Sequence, residues 1–526
     1  MSRNLPNIIF IVLDTHRVDR LGCYGYSRNT SPNIDSFAQG ATLFENAIAP
    51  AQWTIPSHAS MFSGEYPSTH LTVQSGDSLN TAFPTMAEFL QTSGYEATGF
   101  CNNPLVGILN NGMRRGFDVF YNYGGTITST PSDNNGHDQH KSLQLLADLR
   151  RGYRTMIDRI AMPIQQAVAS STDIFQVILN PWLVSLWTRY ANFKGDSAAS
   201  IRDTAQCVAR KFNHAEQPQF IFLNLMGTHL PYSPPDRFIR SFAPIVKEEA
   251  AARDFMRIYN TQALRWLIPL EEPYSELEAQ TLSQMYDAEV AYQDHLLHRL
   301  FSTLDQPEYR ENTMVIVTAD HGEMLGEHQY MGHGLGLHQE LIRVPLMVRF
   351  PDQAHGERIS QVVSTTRLFD TVLDVVGIPE VSTRPPEAVA TRRLSLGNKA
   401  ALLGQDQPLA VSEAFPPDNI TQIMRKHEPE LMAAFHCEAI QRAIYQQPYK
   451  LIRTENIHDQ LFDIENDPHE KQSIAANHIR QQMVTALDTQ LTTAIQRRAS
   501  GAQTKAASNL EDKAVLDRLR GLGYIE

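Results

Sequence analysis

The sequence predicts an α/β protein: a large mixed, mostly parallel sheet sandwiched by helices, with a smaller antiparallel-sheet subdomain at the C-terminal end. Three observations predict it. Apolar, β-branched runs alternate with helical patterns over roughly the first 380 residues. Hairpin-like strands then replace that alternation. Finally, 526 residues exceed one ordinary core and call for one large and one small domain.

The first strand is Asn7–Leu13, apolar on both faces as a central parallel strand is. Further strands are predicted at Gln219–Leu225, 313–319 and 344–349, and a helix at 281–300. In sheets of this kind, sites gather beyond the carboxyl ends of the strands. Asp14, His229 and Asp320 each follow a predicted strand directly or within a short turn. A polar stretch at 383–410, with Arg384-Pro385-Pro386 near its start, reads as a linker. The catalytic domain is therefore expected over 1–382 and the linker with its C-terminal subdomain over 383–526. A hairpin at 443–453 and a strand at 460–464 lead into helix, with an amphipathic end at 510–522.

A hydrophobic fraction of 42% with 20% charged residues marks a soluble globular chain. A net charge of −13 argues against a nucleic-acid partner, which would want basic stripes. Cys23, Cys101, Cys207 and Cys437 form no CxxC pair and read as free thiols. The opening apolar run is too short to span a bilayer and has no cleavage site, so a cytoplasmic protein is expected. Residues 140–190 are the least regular part. Their apolar run around Asn180 and Pro181 reads as a helical insertion, with a lid, a dimer surface or a membrane-touching helix as its other readings. Homo-oligomerisation stays open.

Asp320 and His321 stand side by side at a strand end, where both can reach one divalent cation. Asp14 offers another hard oxygen. Oxygen-rich ligation with one imidazole suits Ca²⁺ or Mn²⁺, with Mg²⁺ and Zn²⁺ also admitted. Thr54, before Ile55-Pro56-Ser57, looks like a helix start, where a hydroxyl caps and an anion is stabilised. Three histidines are candidates for handling an ester. His229 lies in a turn after a strand, and His333 sits between Gly332 and Gly334. His58, four residues after Thr54, shares its helix face. His328 and His338 stand second to these.

The run Thr54-Ile55-Pro56-Ser57-His58 resembles the sulfatase signature, which usually reads Cys or Ser, any residue, Pro, Ser, Arg. Ordered matches continue through Asp14-Thr15-His16-Arg17, Ser31-Pro32-Asn33, His229-Leu230-Pro231-Tyr232, Asp320-His321-Gly322-Glu323 and Arg343-Val344-Pro345 to Asp463-Ile464-Glu465-Asn466-Asp467-Pro468. The chain thus resembles the sulfatase family of the alkaline-phosphatase-like superfamily. That resemblance implies a metal site of Asp14, Asp320 and His321 completed by the Thr54 side chain. It implies that Thr54 is the nucleophile, that His229 contacts the ester or protonates the leaving group, and that His333 binds substrate oxygens.

The departures are chemical. Threonine cannot become the formylglycine of the family, because its Cβ already carries a methyl group; no formylglycine is expected. Thr15 replaces a second aspartate, His58 an arginine, and the stretch at Asn102 and Asn103 lacks a Gly-Lys-Trp-His run. The resemblance then implies a metal-dependent hydrolase of small-molecule sulfate esters with Thr54 as nucleophile. The alternatives are a phosphodiester or phosphonate monoester hydrolase, and a metal-binding relative without catalysis. Selectivity is expected from the insertion and from loops near 232–269.

Overall fold

The computed structural model describes residues 5–124, 129, 131, 194–212, 215–378, 395–403 and 409–508. The insertion at 140–190, the Arg384-Pro385-Pro386 part of the linker and the amphipathic end at 510–522 lie outside the described residues.

The main sheet is built in chain order from β1 (Asn7–Leu13), β2 (Thr42–Ile48), β3 (Glu96–Cys101), β4 (Val119–Asn122), β5 (Gln219–Leu225) and β6 (Thr313–Thr318). A short hairpin, β7 (Met324–Leu325) with β8 (Met331–Gly332), stands apart. The sheet is completed by β9 (Arg343–Val344), β10 (Leu346–Arg349) and β11 (Glu357–Ser364). The nine strands run in the order β11-β2-β10-β6-β1-β5-β3-β4, with β9 beside β2. β6, β1, β5, β3 and β4 are mutually parallel, while β10 is antiparallel to both neighbours.

β1 shows why the sequence makes a central strand. Its odd residues Ile9, Ile11 and Leu13 face one core with the helices Ser197–Lys211 and Glu276–Leu304. Its even residues Ile8, Phe10 and Val12 face a second core with the helices Thr54–Ser63 and Arg367–Val376. A strand buried on both faces needs apolar side chains at every position, which erases the alternation of a half-exposed strand.

The single strand expected at 344–349 is two strands, broken at Pro345. Proline brings no N–H to a ladder, so pairing shifts from β2–β9 to β10. The stretch 232–269, expected as loops, holds helices at Asp236–Phe242, Ile245–Glu248 and Ala250–Thr261. Tyr259 and Phe255 of the last pack into the first core.

The C-terminal sheet is antiparallel throughout: β12 (Ala410–Ala414), β13 (Gln441–Gln446), β14 (Tyr449–Thr454) and β15 (His458–Asp463), in that order. One face packs Ala410, Tyr445, Ile452 and Phe462 against Ile48, Leu341 and Val362 of the main domain. The other packs Val411, Ile444, Leu451 and Leu461 under the helix Asn477–Ser508. All four cysteines are free, and among the described residues no helix is long and apolar enough to cross a membrane.

Candidate active site

Parallel strands bring their carboxyl ends to one edge, and the candidate residues gather there. Asp14 follows β1, Asn102 and Asn103 follow β3, His229 follows β5, and Asp320 and His321 follow β6. Thr54 opens the helix Thr54–Ser63 against the same edge.

Asp14, Asp320 and His321 are fully buried, and one ligand atom of each lies within 4.8 Å of the others. Asn103 Nδ2 donates to Asp14 Oδ2 at 2.6 Å. The backbone N–H groups of Thr15 and His321 donate to Asp320 Oδ1 at 3.3 and 3.0 Å. Among the described residues, Asp14 Oδ1 and Asp320 Oδ2 have no hydrogen-bond partner. Two buried carboxylates with one orphaned oxygen each are costly unless a cation lies between them. Burial pushes the Asp14 carboxyl up to about 6, and burial with the Asp14 charge pushes Asp320 well above the usual range. His321 Nδ1 donates to Gly322 O at 2.9 Å, which fixes the tautomer and leaves the Nε2 lone pair for a ligand. These residues fit a divalent cation.

Thr54 is the first residue of its helix; Trp53 stands at the N-cap. The Thr54 hydroxyl is therefore not spent on capping, contrary to the look of the sequence. Its Oγ1 lies 3.4 Å from His321 Nε2 and 3.4 Å from Asn103 Nδ2. It is buried at a helix N-terminus, where the N–H groups favour developing negative charge.

The histidines separate into two groups. His333 Nδ1 donates to Glu323 Oε1 at 2.8 Å, and its ring lies 4.6 Å from His321 and 4.9 Å from His229 between centroids. Burial works against its charge, but the Glu323 carboxylate outweighs that and holds His333 above the usual imidazole range. His229 donates from Nδ1 to Leu230 O at 2.7 Å; burial and the His333 charge hold it well below that range. His58 stands behind the site. Its Nδ1 donates to Thr54 O at 3.0 Å, its Nε2 meets Asn224 Nδ2 at 3.4 Å, and its ring lies edge-on to Phe62 and Phe222. Burial pushes it down to about 4.

Three members of this constellation were invisible as such in the sequence: Asn103, read only as a departure, and Glu323 and Asn224. Asn103 had one usable signal, its place directly after an apolar run, as for Asp14.

A family model described as Sulfatase matches residues 6–378. The chain belongs to the sulfatase family. It is similar to the uncharacterized sulfatase YidJ of Escherichia coli, 23% identical over 89% of this chain and 83% of that protein. It is similar also to the N-acetylgalactosamine-6-O-sulfatase of Bacteroides thetaiotaomicron, 23% identical over 90% of each. Among solved structures, the phosphonate monoester hydrolase of Agrobacterium radiobacter shares the fold with a TM-score of 0.60 at 20% identity, covering 94% of this chain and 96% of that one. An enzyme solved in complex with its substrate D-glucosamine-2-N,6-O-disulfate shares it at 0.61 and 16% identity, covering 94% and 98%. The chain is thus a sulfatase-family hydrolase.

Proposed function

We propose that the chain is a metal-dependent hydrolase of sulfate esters in which the Thr54 hydroxyl is the nucleophile. The observation that carries this reading is the position of Thr54 Oγ1, uncommitted to a cap and within 3.4 Å of both His321 Nε2 and Asn103 Nδ2. Asp14, Asp320 and His321 would hold the cation, with Thr54 beside them. Ca²⁺ or Mn²⁺ suits that donor set. When bound, the cation neutralises ester oxygens and lowers the pKa of a neighbouring hydroxyl.

The remaining work falls to the chain. Asn103, anchored on Asp14, turns an amide N–H toward Thr54 Oγ1 and stabilises the oxygen as its proton leaves. Oγ1 forms a bond to sulfur, and the bond from sulfur to the alcohol oxygen breaks. His333, kept cationic by Glu323, pairs with the sulfate oxygens and supplies the proton to the departing alcohol. His229, held neutral beside His333 with its Nδ1–H on Leu230 O, takes the proton that leaves Thr54 Oγ1. In the second half water attacks the sulfur of the sulfo-threonine and gives a proton to His333, while the bond from sulfur to Oγ1 breaks and His229 returns its proton to Oγ1. We assign His58 a positioning role: it ties the Thr54 carbonyl to the aromatic wall and lies 3.5 Å from Asp320 Oδ2.

A second reading is a phosphodiester or phosphonate monoester hydrolase. A threonine ester is hydrolysed by attack at sulfur or phosphorus without the C–O cleavage that a formylglycine hemiacetal allows, so the nucleophile fits phosphorus equally well. The fold shared with the phosphonate monoester hydrolase is compatible with it. Mass spectrometry of enzyme quenched during turnover tests the proposal. A sulfo or phospho group on the peptide carrying Thr54 is expected, and an adduct on another residue during full turnover would refute the assignment.

A further inference from the structure

β5 is a central strand, and its residues Phe220 and Phe222 are buried in the second core. Asn224 comes next on that face, between Val12 of β1 and Cys101 of β3, and is fully buried. A strand with neighbours on both sides and a core on each face calls for an apolar side chain there. An amide in that place is costly unless both of its ends are satisfied. Both are. Asn103 N donates to Asn224 Oδ1 at 3.1 Å, and Asn224 Nδ2 faces His58 Nε2 at 3.4 Å. The His58 Nδ1 proton lies on Thr54 O, so Nε2 carries a lone pair and accepts from the amide. Turning the amide over would set its NH₂ against the Asn103 N–H and its oxygen against that lone pair. Amide and ring therefore fix each other.

Each partner of Asn224 bears on Thr54. Asn103 Nδ2 donates to Asp14 Oδ2 at 2.6 Å and reaches Thr54 Oγ1 at 3.4 Å. His58 holds the Thr54 carbonyl at 3.0 Å. We propose that Asn224 is the positioning residue that sets these two arms around Thr54, one on the hydroxyl and one on the backbone. It acts through them and not on the ester, and this role rests on the reading of Thr54 as the nucleophile. Its main chain contributes as well, because Asn102 N donates to Asn224 O at 3.1 Å. Main chain and side chain of Asn224 thus fix two successive residues after β3. Leucine, of similar size, would keep the first bond and lose the second. It would leave the Asn103 N–H and His58 Nε2 buried without a partner. Both arms could then shift, and a displacement of about 1 Å at a reacting centre costs on the order of a hundredfold.

The test uses the full Ca²⁺-loaded chain with an aryl sulfate, or with a phosphate diester or phosphonate monoester where that is turned over faster. Asn224→Leu should lower kcat about a hundredfold with KM within about threefold of wild type. Asn103→Ala removes the arm that reaches the hydroxyl, so in that background Asn224→Leu should cost less than about tenfold. A cost undiminished in that background overturns the proposal, as does a rise in KM with kcat unchanged. Wild-type chain carrying ¹⁵N-labelled histidine reads the same network without any substitution at Asn224. Long-range proton–nitrogen NMR spectra, with the His58 signals identified by their loss in His58→Gln, should place the ring proton on Nδ1. A proton on Nε2 overturns the proposal even where Asn224→Leu does not fold. Turnover near the wild-type rate by Thr54→Ala would defeat the nucleophile and leave the tautomer result intact, so the two failures are told apart.

Discussion

Removing the cation from between Asp14 and Asp320 should destabilise the protein by an amount the structure lets one bound. Their ligand atoms lie within 4.8 Å of each other, buried, with Asp14 Oδ1 and Asp320 Oδ2 unpartnered among the described residues. At that separation and an effective dielectric constant of 20, two ionised carboxylates repel by about 3.5 kcal/mol. Without a cation the pair relieves this by retaining a proton, so chelation at neutral pH should be accompanied by proton uptake. Ca²⁺ supplied at a hundred times its Kd should restore about 2.7 kcal/mol. For a domain of this size that corresponds to a rise in Tm of about 3 °C. Differential scanning calorimetry of chelator-treated protein with Ca²⁺ added back measures it. The Asp14→Asn, Asp320→Asn protein should show no response. An equal rise in that variant would refute the site.

Other outcomes follow from particular contacts. His70 is buried, accepts from Thr72 N at Nδ1 and meets Ser60 Oγ at Nε2; burial pushes it down to about 3. Its contribution is complete above its unfolded value of 6.5 and is lost as pH falls toward 3. Between pH 7.5 and 5.5 the loss is about 1.4 kcal/mol, and urea titration of wild type against His70→Gln should show that difference in slope. Glu323→Gln removes the carboxylate that charges His333 and should lower kcat/KM about a hundredfold with Tm little changed. Ser275→Ala breaks the capping box with Glu278 at the start of the helix Glu276–Leu304, costing about 1 kcal/mol and leaving turnover intact.

Much of the fold was legible because the central strands are buried on both faces. β1, β5 and β6 read as continuous apolar runs for that reason. β2, β3 and β11 did not, since Glu45, Asn46, Thr98, Arg358 and Gln361 interrupt them. These strands are specified by their neighbours in the sheet more than by their own pattern. The first two helices at 236–248 were obscured by Pro235 and Pro244 at their N-caps, which a helix start tolerates because the first N–H groups are unbonded anyway.

The candidate site was partly legible for a geometric reason. Residues after parallel strands converge, so Asp14, His229, Asp320 and His321 could be grouped without knowing any contact. Which way a ring points could not be read. His58 shares a helix face with Thr54, yet its nitrogens are committed to Thr54 O and Asn224. The Glu323 to His333 hydrogen bond spans a hairpin whose two-residue strands are too short to leave a pattern. Asn103 acts through bonds to residues 89 and 49 positions away, beyond any local signal.

The central claim is that Thr54 is the nucleophile of an ester hydrolase, and one paired assay tests it most directly. Purified protein loaded with Ca²⁺ or Mn²⁺ is offered an aryl sulfate, a phosphate diester and a phosphonate monoester at one pH, beside Thr54→Ala. Removing the hydroxyl leaves Asn103 bonded to Asp14, so stability should change by less than about 1 kcal/mol. Turnover should fall by a factor on the order of 10⁴ or more. A sulfate preference lost in the variant is the expected result. Turnover near the wild-type rate in a folded, metal-loaded Thr54→Ala protein would contradict it.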